Sequence, residues 1–509
     1  MTRIAPASAA RPQASVVTTH ISHLFFVGDR AYKLKRPVRF AFLDFSTREQ
    51  REAACRREVE LNRRLAPDVY LGVVDLIGPD GAPCDHLVAM RRMPAPRRLS
   101  TLISRRADVD GCLRSIARTI TAFHERAVTS EEITRAGTPD AVRKNWDDNF
   151  SEMAPYVGSL LPADGFERVR ALAHRYLDAR GRLFRLRASE GRVRDGHGDL
   201  LADDIFCLDD GPRILDCIEF NDRFRYADVV ADIAFLAMDI ERLERPELAD
   251  RLVAWYREFS GDPFPSSLAD HYIAYRALVR SKVACIRAEQ GERPARAEAA
   301  RLLRLAHERL TRARPVIVLV GGLPGTGKST LALGIADARR WALIRSDEVR
   351  KDLAGIAHSE RAPAEYAAGI YTREMTERTY REMLARARRA IALGDSVVLD
   401  ASWTDRHLRE AAAAAAAGAY ADLVELRCAA PHALAADRLR ARNREGGDAS
   451  DATPETARAM LMRADPWPDA RTIDTTRPPE EALEEGLRAL DAPPPPPDAL
   501  EALAALVAE

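Results

Sequence analysis

Apolar and polar positions follow one order of rhythms up to about residue 312 and another beyond it. Within residues 21 to 45 the run HLFFVGDRAYKLKRPV alternates apolar and polar side chains about a turn at Gly28-Asp29, which predicts a β-hairpin. Thr47 to Leu65 is charged and amphipathic at helical spacing. Val69 to Leu76 and Leu87 to Met93 predict further strands around a Pro79-Asp80-Gly81 turn. From 99 to 185 the spacing is helical, with Ile116, Ile120 and Phe123 on a core face. Residues 193 to 220 return to short β segments, and 228 to 312 are helical again. This order predicts an α+β domain. At Arg312-Ala-Arg-Pro315 a helix ends in proline and a buried strand begins. Strand and helix then alternate over 316–321, 328–339, 342–345, 372–393, 396–400, 405–417, 422–427 and 431–444, the order of an α/β domain with a parallel sheet. The alanine run Ala411–Ala417 is a good helix former. Pro493–Pro497 predicts a short polyproline segment before a small terminal helix.

Composition narrows the class. The 509 residues exceed one domain's usual length, and 46% hydrophobic with 30% charged residues is a globular balance. No apolar run is long enough to cross a bilayer, and residues 1–19 lack the apolar core of a signal peptide, so a flexible lead-in and a cytoplasmic location are expected. The formal net charge is zero, so nothing global requires nucleic acid or a membrane as partner; the oligomeric state is left open. The seven cysteines are odd in number, scattered and without a C-x-x-C pair, which predicts reduced core thiols and neither a disulfide framework nor a zinc site. Only six lysines occur (33, 35, 144, 282, 328, 351), with arginine elsewhere. A compact point charge is therefore expected to matter at Lys328, and at Lys33 or Lys35.

The run VIVLVGGLPGTGKST (316–330) feeds a β-branched strand into a G-x-x-x-x-G-K-[ST] loop. Gly322, Leu323, Pro324, Gly325, Thr326, Gly327, Lys328, Ser329 and Thr330 would cradle the phosphates of ATP or another nucleoside triphosphate. Lys328 reaches the β and γ oxygens, and Ser329 is a Mg²⁺ ligand.

Upstream, His197-Gly-Asp199-Leu-Leu-Ala-Asp-Asp204 precedes Arg213-Ile-Leu-Asp216-Cys-Ile-Glu219-Phe-Asn-Asp222. Phosphoryl transfer needs one carboxylate to orient the attacking hydroxyl and others to hold Mg²⁺, and this spacing can supply both. Over residues 20 to 300 the chain resembles the aminoglycoside phosphotransferase and choline kinase superfamily, whose catalytic loop reads His-Gly-Asp-Leu-x-x-x-Asn before a metal-binding Asp. That resemblance implies a protein-kinase-like α+β fold, with Asp199 as catalytic base. Lys35 or Lys33 would be the phosphate-binding strand lysine and Glu58 its helix partner. Two positions depart from the pattern: Asp204 stands at the metal-binding Asn, and the second metal ligand is Glu219 or Asp216. Acidic ligands suit Mg²⁺, but an extra negative charge beside the γ-phosphate works against transfer. Asp228 and Asp232 also match the family's pattern and read as caps or loop anchors; Phe123-His124 reads as a core aromatic beside a surface histidine.

Beyond the phosphate loop, Leu343-Ile-Arg-Ser-Asp347-Glu-Val-Arg350-Lys351 ends a strand and opens a helix. Asp347 is placed to take a hydroxyl proton and Arg350 to grip an acceptor phosphate in a bidentate contact; Lys351 is expected in solvent. This Asp-x-x-Arg arrangement looks like the polynucleotide 5′-kinase and zeta-toxin-like kinases. Asp400, in Val397-Val-Leu-Asp400-Ala-Ser402, is then a strand-end Mg²⁺ acid. Arg438, Arg440 and Arg442 before Gly446-Gly447 resemble a kinase lid, with Arg438 and Arg442 sharing a face and catalytic.

The whole chain resembles a bacterial fusion of an aminoglycoside-phosphotransferase-like domain (20–312) with a P-loop kinase domain (315–490), flanked by the lead-in and a Pro-rich tail (491–509). The resemblance implies an ATP- and Mg²⁺-dependent kinase acting on a small-molecule or 5′-hydroxyl acceptor, with the C-terminal site active and the N-terminal one a possible second kinase. Two alternatives remain: a regulatory pseudokinase as the first domain, or an ATPase switch with a macromolecular partner.

Overall fold

The computed structural model describes residues 15–19, 21–40, 43–358, 360, 369–445 and 452–491. The Pro493–Pro497 segment, the Gly446-Gly447 loop, the Arg442 side chain and most of the lead-in lie outside the described residues. The chain forms two compact units. One runs to Leu310, less Arg175–Leu183 and Pro265–Ser267, and the other takes those stretches and everything from Thr311.

The first unit opens on a five-stranded antiparallel sheet. In chain order its strands are β1 (Ser15–Thr18), β2 (Ser22–Val27), β3 (Arg30–Lys35), β4 (Tyr70–Ile77) and β5 (Pro83–Arg91), arranged β1-β2-β3-β5-β4. The β2–β3 hairpin pairs Val27 with Arg30 across Gly28-Asp29. The β-branched run Ser-Val-Val-Thr makes β1 a strand on β2, where a flexible lead-in was expected. Helix α1 (Arg48–Asn62) starts from a capping box between Thr47 and Gln50. Its Cys55 and Val59 pack on Ala31, Val88 and Met90 of the sheet. Because side chains alternate across a strand, the face that buries Ala31 also buries Lys33 and Lys35.

Apart from a two-residue pairing of Arg39–Phe40 with Leu43–Asp44, the rest of this unit is helical except for short strands: β6 (Val193–Asp195), β7 (Ile205–Leu208), β8 (Gly211–Ile214) and β9 (Tyr226–Asp228). Helix α2 (Asp110–Arg126) precedes them. Helices α3 (Val229–Arg242) and α4 (Ser266–Glu289) follow. In α3 every residue from Val229 to Ile240 is buried, so Asp232 and Asp239 are carboxylates inside an otherwise apolar core. Cys112 of α2 and Cys207 of β7 are joined in a disulfide across 95 residues, which corrects the expectation of reduced thiols for that pair. Scattered spacing conceals such a pair because only the fold brings α2 beside β7. Cys55, Cys217, Cys285 and Cys428 are free and buried, and Cys84 is free and exposed.

The second unit is a parallel sheet with helices on both faces. Its strands are β10 (Val316–Gly321), β11 (Ala342–Arg345), β12 (Val397–Asp400), β13 (Asp422–Ala429) and β14 (Arg471–Asp474), in the order β11-β12-β10-β13-β14. Its labelled helices are α5 (Lys328–Arg339), α6 (Ser346–Ala354), α7 (Arg373–Ala392), α8 (Arg406–Gly418), α9 (His432–Glu445) and α10 (Pro479–Asp491). Central β10 is apolar throughout because both its faces are covered. Ile317 and Leu319 meet α7 and α8, whereas Val318 and Val320 meet α5 and α10. In the alanine run, Ala412, Ala415 and Ala416 form the face that packs. Strand β14 and the helices Pro454–Leu461 and α10 were not anticipated. Four residues of β14 with one buried side chain carry too little period to be read.

Candidate active sites

In the second unit the phosphate loop joins β10 to α5. Gly327 caps α5 with φ near 83°, and Gly325 has φ near 82°. A Cβ on Gly325 would lie 2.3 Å from the Ala435 carbonyl oxygen, and one on Gly322 2.8 Å from that of Cys428, so glycine is required by backbone packing as well as by dihedral. Tertiary bonds brace the loop. Thr475 Oγ1 donates to the Thr326 carbonyl at 2.7 Å, and the Gly322 N–H donates to Ser402 O at 3.1 Å. Lys328 and Ser329 open α5, and Lys328 has no hydrogen bond or ion pair to any described residue. Asp400 ends β12, and its Oδ1 is buried without a partner, while Oδ2 lies 3.4 Å from Arg345 Nε. Arg438 donates to the Thr475 carbonyl at 2.8 Å, and its Nη1 would be 3.8 Å from a Cβ on Gly327. Arg440, by contrast, pairs with Asp437 on the surface. Leu323, Pro324, Thr326 and Thr330 occupy the loop and first helical turn as expected.

Beside the loop is a cavity of about 460 Å³ whose lining includes Lys328, Asp347, Arg350, Tyr371, Tyr380 and Ser402. Asp347, in the first turn of α6, is half-buried and makes no hydrogen bond or ion pair with a described residue. One expectation changes here. Lys351 is buried, donating to the carbonyls of His358 (2.9 Å) and Glu360 (2.7 Å), rather than solvated, because the chain after α6 folds back over it. Arg350 lines the cavity, but Nη1 is held by Ile370 O and Thr376 Oγ1, both at 3.2 Å, and the guanidinium stacks on Tyr371. Its Nε is buried without a hydrogen-bond partner among the described residues.

In the first unit β3 and α1 set an ion cluster. Lys33 Nζ lies 2.9 Å from Glu58 Oε1 and 2.5 Å from Asp216 Oδ1; Lys35 Nζ lies 2.7 Å from Glu58 Oε2 and also pairs with Glu219. Both lysines share Glu58, so the choice left open in the sequence has no single answer. Burial pushes Glu58 up, but the fields of Lys33 and Lys35 outweigh it and hold it well below the usual carboxylate range. Burial, then Glu58, push Glu219 up against the pull of Lys35. Glu219 is thus engaged by lysine. Asp216, with φ near 67° and its N–H on Tyr70 Oη, has a side chain that remains partly exposed.

The His197-Gly-Asp199 loop is hung from α3. Asp232 accepts the N–H groups of His197 (2.6 Å) and Gly198 (2.9 Å), and Asp239 accepts that of Ala202 (2.9 Å). Burial lowers His197 to about 4, so it is neutral at pH 7, with Nε2 donating to Leu215 O at 3.1 Å. Asp228 caps α3 and binds Arg187 in a two-pronged pair, in agreement with the anchor reading. His124 is buried rather than on the surface: Nδ1 meets Tyr256 Oη at 2.8 Å and Nε2 meets Asp232 at 3.2 Å. Burial raises Asp199 to about 6, with Arg280 and Arg276 pulling down and Asp216 pushing up. Asp204 is raised further, by burial and then by Asp216 and Asp199. Asp216 raises both Asp199 and Asp204 although Lys33 pairs with it, and such crowded carboxylates are a donor set that fits a hard cation. Among the described residues, however, no three acidic, His or Cys side chains converge closely enough to hold a metal by themselves. Mg²⁺ in kinases is shared with phosphate oxygens and water, so one or two protein ligands suffice. Asp204 with Asp216 in the first unit, and Ser329 with the orphaned Asp400 in the second, fit that requirement.

A model of the phosphotransferase enzyme family matches residues 25–268, and one of an AAA domain matches residues 317–467. Uncharacterized proteins of Mycobacterium tuberculosis and Mycobacterium bovis are 42% identical over 472 residues, 93% of this chain and 94% of theirs. The chain belongs to this bacterial family, in which a phosphotransferase domain of kinase-like fold precedes a P-loop domain. Among solved structures, a choline/ethanolamine kinase family protein from Mesorhizobium loti is 15% identical, covering 61% of this chain and 95% of that one at a TM-score of 0.38. A sugar kinase from a Janibacter species is 22% identical, covering 35% and 94% at 0.27. Scores this low do not superpose one active site on another. Sequence reasoning missed Thr475, Tyr380 and the two arginines whose charge acts on Asp199. None lies in a motif, and Trp403, a buried tryptophan at φ near 52° behind the phosphate loop, carried no signal either.

Proposed function

We propose that the chain is an ATP- and Mg²⁺-dependent kinase whose P-loop site transfers the γ-phosphoryl group to a hydroxyl acceptor. The observation that carries this reading is the presence of Lys328 and Asp347, neither with a partner among the described residues, on the wall of one cavity. Lys328 and the loop N–H groups bind and neutralise phosphate oxygens, and Asp347 accepts the proton of the attacking hydroxyl. Arg438, held at the loop by Thr475, adds positive charge where it develops on transfer. Bound Mg²⁺ supplies further charge neutralisation, with Ser329 and Asp400 as its protein ligands. Arg350 and Tyr371 shape the acceptor side, which suits a small hydroxylated molecule or a 5′-hydroxyl end.

The N-terminal site is a second kinase site in this reading. Asp199 serves as base, Asp204 and Asp216 hold Mg²⁺, and Lys33 and Lys35 receive phosphates, fixed by Glu58 and, for Lys35, by Glu219. Phosphoproduct formation over a panel of hydroxyl metabolites and 5′-hydroxyl oligonucleotides tests both. Lys328→Ala and Asp347→Asn each lower kcat/KM for one product by about 10²-fold or more, and Asp199→Asn removes a different product. ATP hydrolysis with no phosphorylated acceptor in any arm would leave an ATPase switch in place of a kinase.

A further inference from the structure

The disulfide of the first unit lies on the wall of a cavity. Cys112 and Cys207 share a recess of about 570 Å³ with Arg97, Asp108, Ser115 and Asp209, and Cys112, in the first turn of α2, is only half-buried. The bond is therefore within reach of a small thiol while the protein stays folded, and access is one of the factors that set the rate of thiol–disulfide exchange. Cys55 and Cys217, by contrast, are buried thiols. The place of the bond in the fold matters as much. Cys207 belongs to the β7–β8 hairpin, where it pairs with Pro212 beside the Asp209-Asp210 turn. The two ends of that hairpin are Asp204 and Asp216. Asp204 leads directly into β7, and after β8 the Leu215 N–H donates to the Asp204 carbonyl at 3.0 Å, one residue before Asp216. Ile205 and Ile214 are buried and set the base of the hairpin in the core. Its outer half is tied down by the bond to Cys112 and by Arg97, whose Nε donates to the Cys207 carbonyl at 2.6 Å and whose Nη2 pairs with Asp209.

A cross-link that is open to thiols and fixes the segment between two metal-binding carboxylates is placed to act as a switch. We propose that Cys112–Cys207 is a redox-sensitive site: joined, it holds the hairpin so that Asp204 and Asp216 stand together for Mg²⁺, and reduced, it frees the outer half of the hairpin and weakens Mg²⁺-nucleotide binding at the N-terminal site. The inference rests on the kinase reading of that site. The reductant is a dithiol. One of its thiolates bonds to Sγ of Cys112, the more exposed of the pair; the S–S bond breaks, and its electron pair leaves on Sγ of Cys207, which takes up a proton. The second thiolate of the reductant then displaces the Cys112 sulfur, which is protonated in turn. The two cysteines gain two electrons and two protons, and the dithiol that gives them up is left as a disulfide.

Full-length Gly325→Ala protein, whose phosphate loop is blocked, tests this. Binding of a non-hydrolysable ATP analogue is followed over a Mg²⁺ titration for the oxidised protein, after dithiothreitol, and after reoxidation. Reduction raises the Mg²⁺ concentration for half-maximal binding about fivefold or more, the lower end of a typical coupling between sites, and reoxidation restores it. Adding Cys112→Ser gives the reduced behaviour with or without dithiothreitol. In parallel, alkylation in native buffer with dithiothreitol, read by mass spectrometry, marks Cys112 and Cys207 and leaves the buried Cys55 and Cys217 unmarked, so the first unit is still folded when the bond opens. Three results overturn the proposal. Marking of Cys112 and Cys207 only in urea, or native reduction that leaves the Mg²⁺ requirement unchanged, makes the bond a structural brace; marking of Cys55 and Cys217 together with them makes any loss of binding a consequence of unfolding. If the oxidised Gly325→Ala protein binds no analogue at all, the kinase reading of the N-terminal site fails first and the proposal falls with it.

Discussion

At the residue scale the first unit concentrates titratable groups whose charge states depend on one another. Asp199 titrates near 6 in the folded protein, above the ordinary carboxylate value of about 3.9. A folded-state value that is raised favours the protonated form, so its stabilising contribution is complete below about pH 4 and is lost as pH rises through about 6. Asp199→Asn should therefore melt a few degrees above wild type at pH 8, with the difference vanishing near pH 4; scanning calorimetry of both proteins across that range measures it. Glu58 has the opposite sign. It joins Lys33 and Lys35, and Glu58→Gln leaves two buried ammonium groups short of countercharge, at a cost of about 3–5 kcal/mol. Urea unfolding at pH 7 checks that figure, and an unchanged midpoint would mean that Asp216 and Glu219 suffice.

At the element scale the phosphate loop shows how close packing and backbone conformation combine. Gly325 and Gly327 both have positive φ, so alanine at either costs about 1–2 kcal/mol of backbone strain. Only at Gly325 does the new methyl also strike a backbone oxygen, at 2.3 Å, whereas at Gly327 its nearest neighbour is the Thr475 side chain at 3.5 Å. Gly325→Ala should accordingly abolish nucleotide-analogue binding at the C-terminal site, and Gly327→Ala should weaken it by about tenfold, one strain increment. The strands and helices of this unit were legible because β10 is apolar at every position and the loop motif sets the start of α5. The lid region was less so: Arg438 turned out to be held by Thr475, which lies beyond a strand too short to read.

At the scale of the whole molecule, two units with separate sites lie on one chain, and among the described residues no helix is long and apolar enough to cross a membrane. The Cys112–Cys207 bond closes a loop of 95 residues that carries the His197-Gly-Asp199 segment. Closure of a loop that long restricts the unfolded chain, so reduction should cost about 2–4 kcal/mol of stability in the first unit. A reductant added during thermal unfolding should lower the transition of that unit and leave the second unit's transition in place, and Cys112→Ala should reproduce the shift.

The phosphate loop, the His-Gly-Asp segment, the hairpin that turns Lys33 and Lys35 to one face and the parallel α/β order were all determined by the sequence itself. Each depends on periodicity or spacing within a few tens of residues, which local backbone geometry converts directly into structure. What only the tertiary structure decided are pairings between distant segments. Glu58 serves both lysines, Lys35 meets Glu219 at a separation of 184, Cys112 meets Cys207, and Asp232 carries the His197-Gly-Asp199 loop. Lys351 belongs with these, since its burial is set by carbonyls on a chain segment that folds back over it. A buried charge must find its partner wherever packing delivers one, and sequence distance carries no record of that choice.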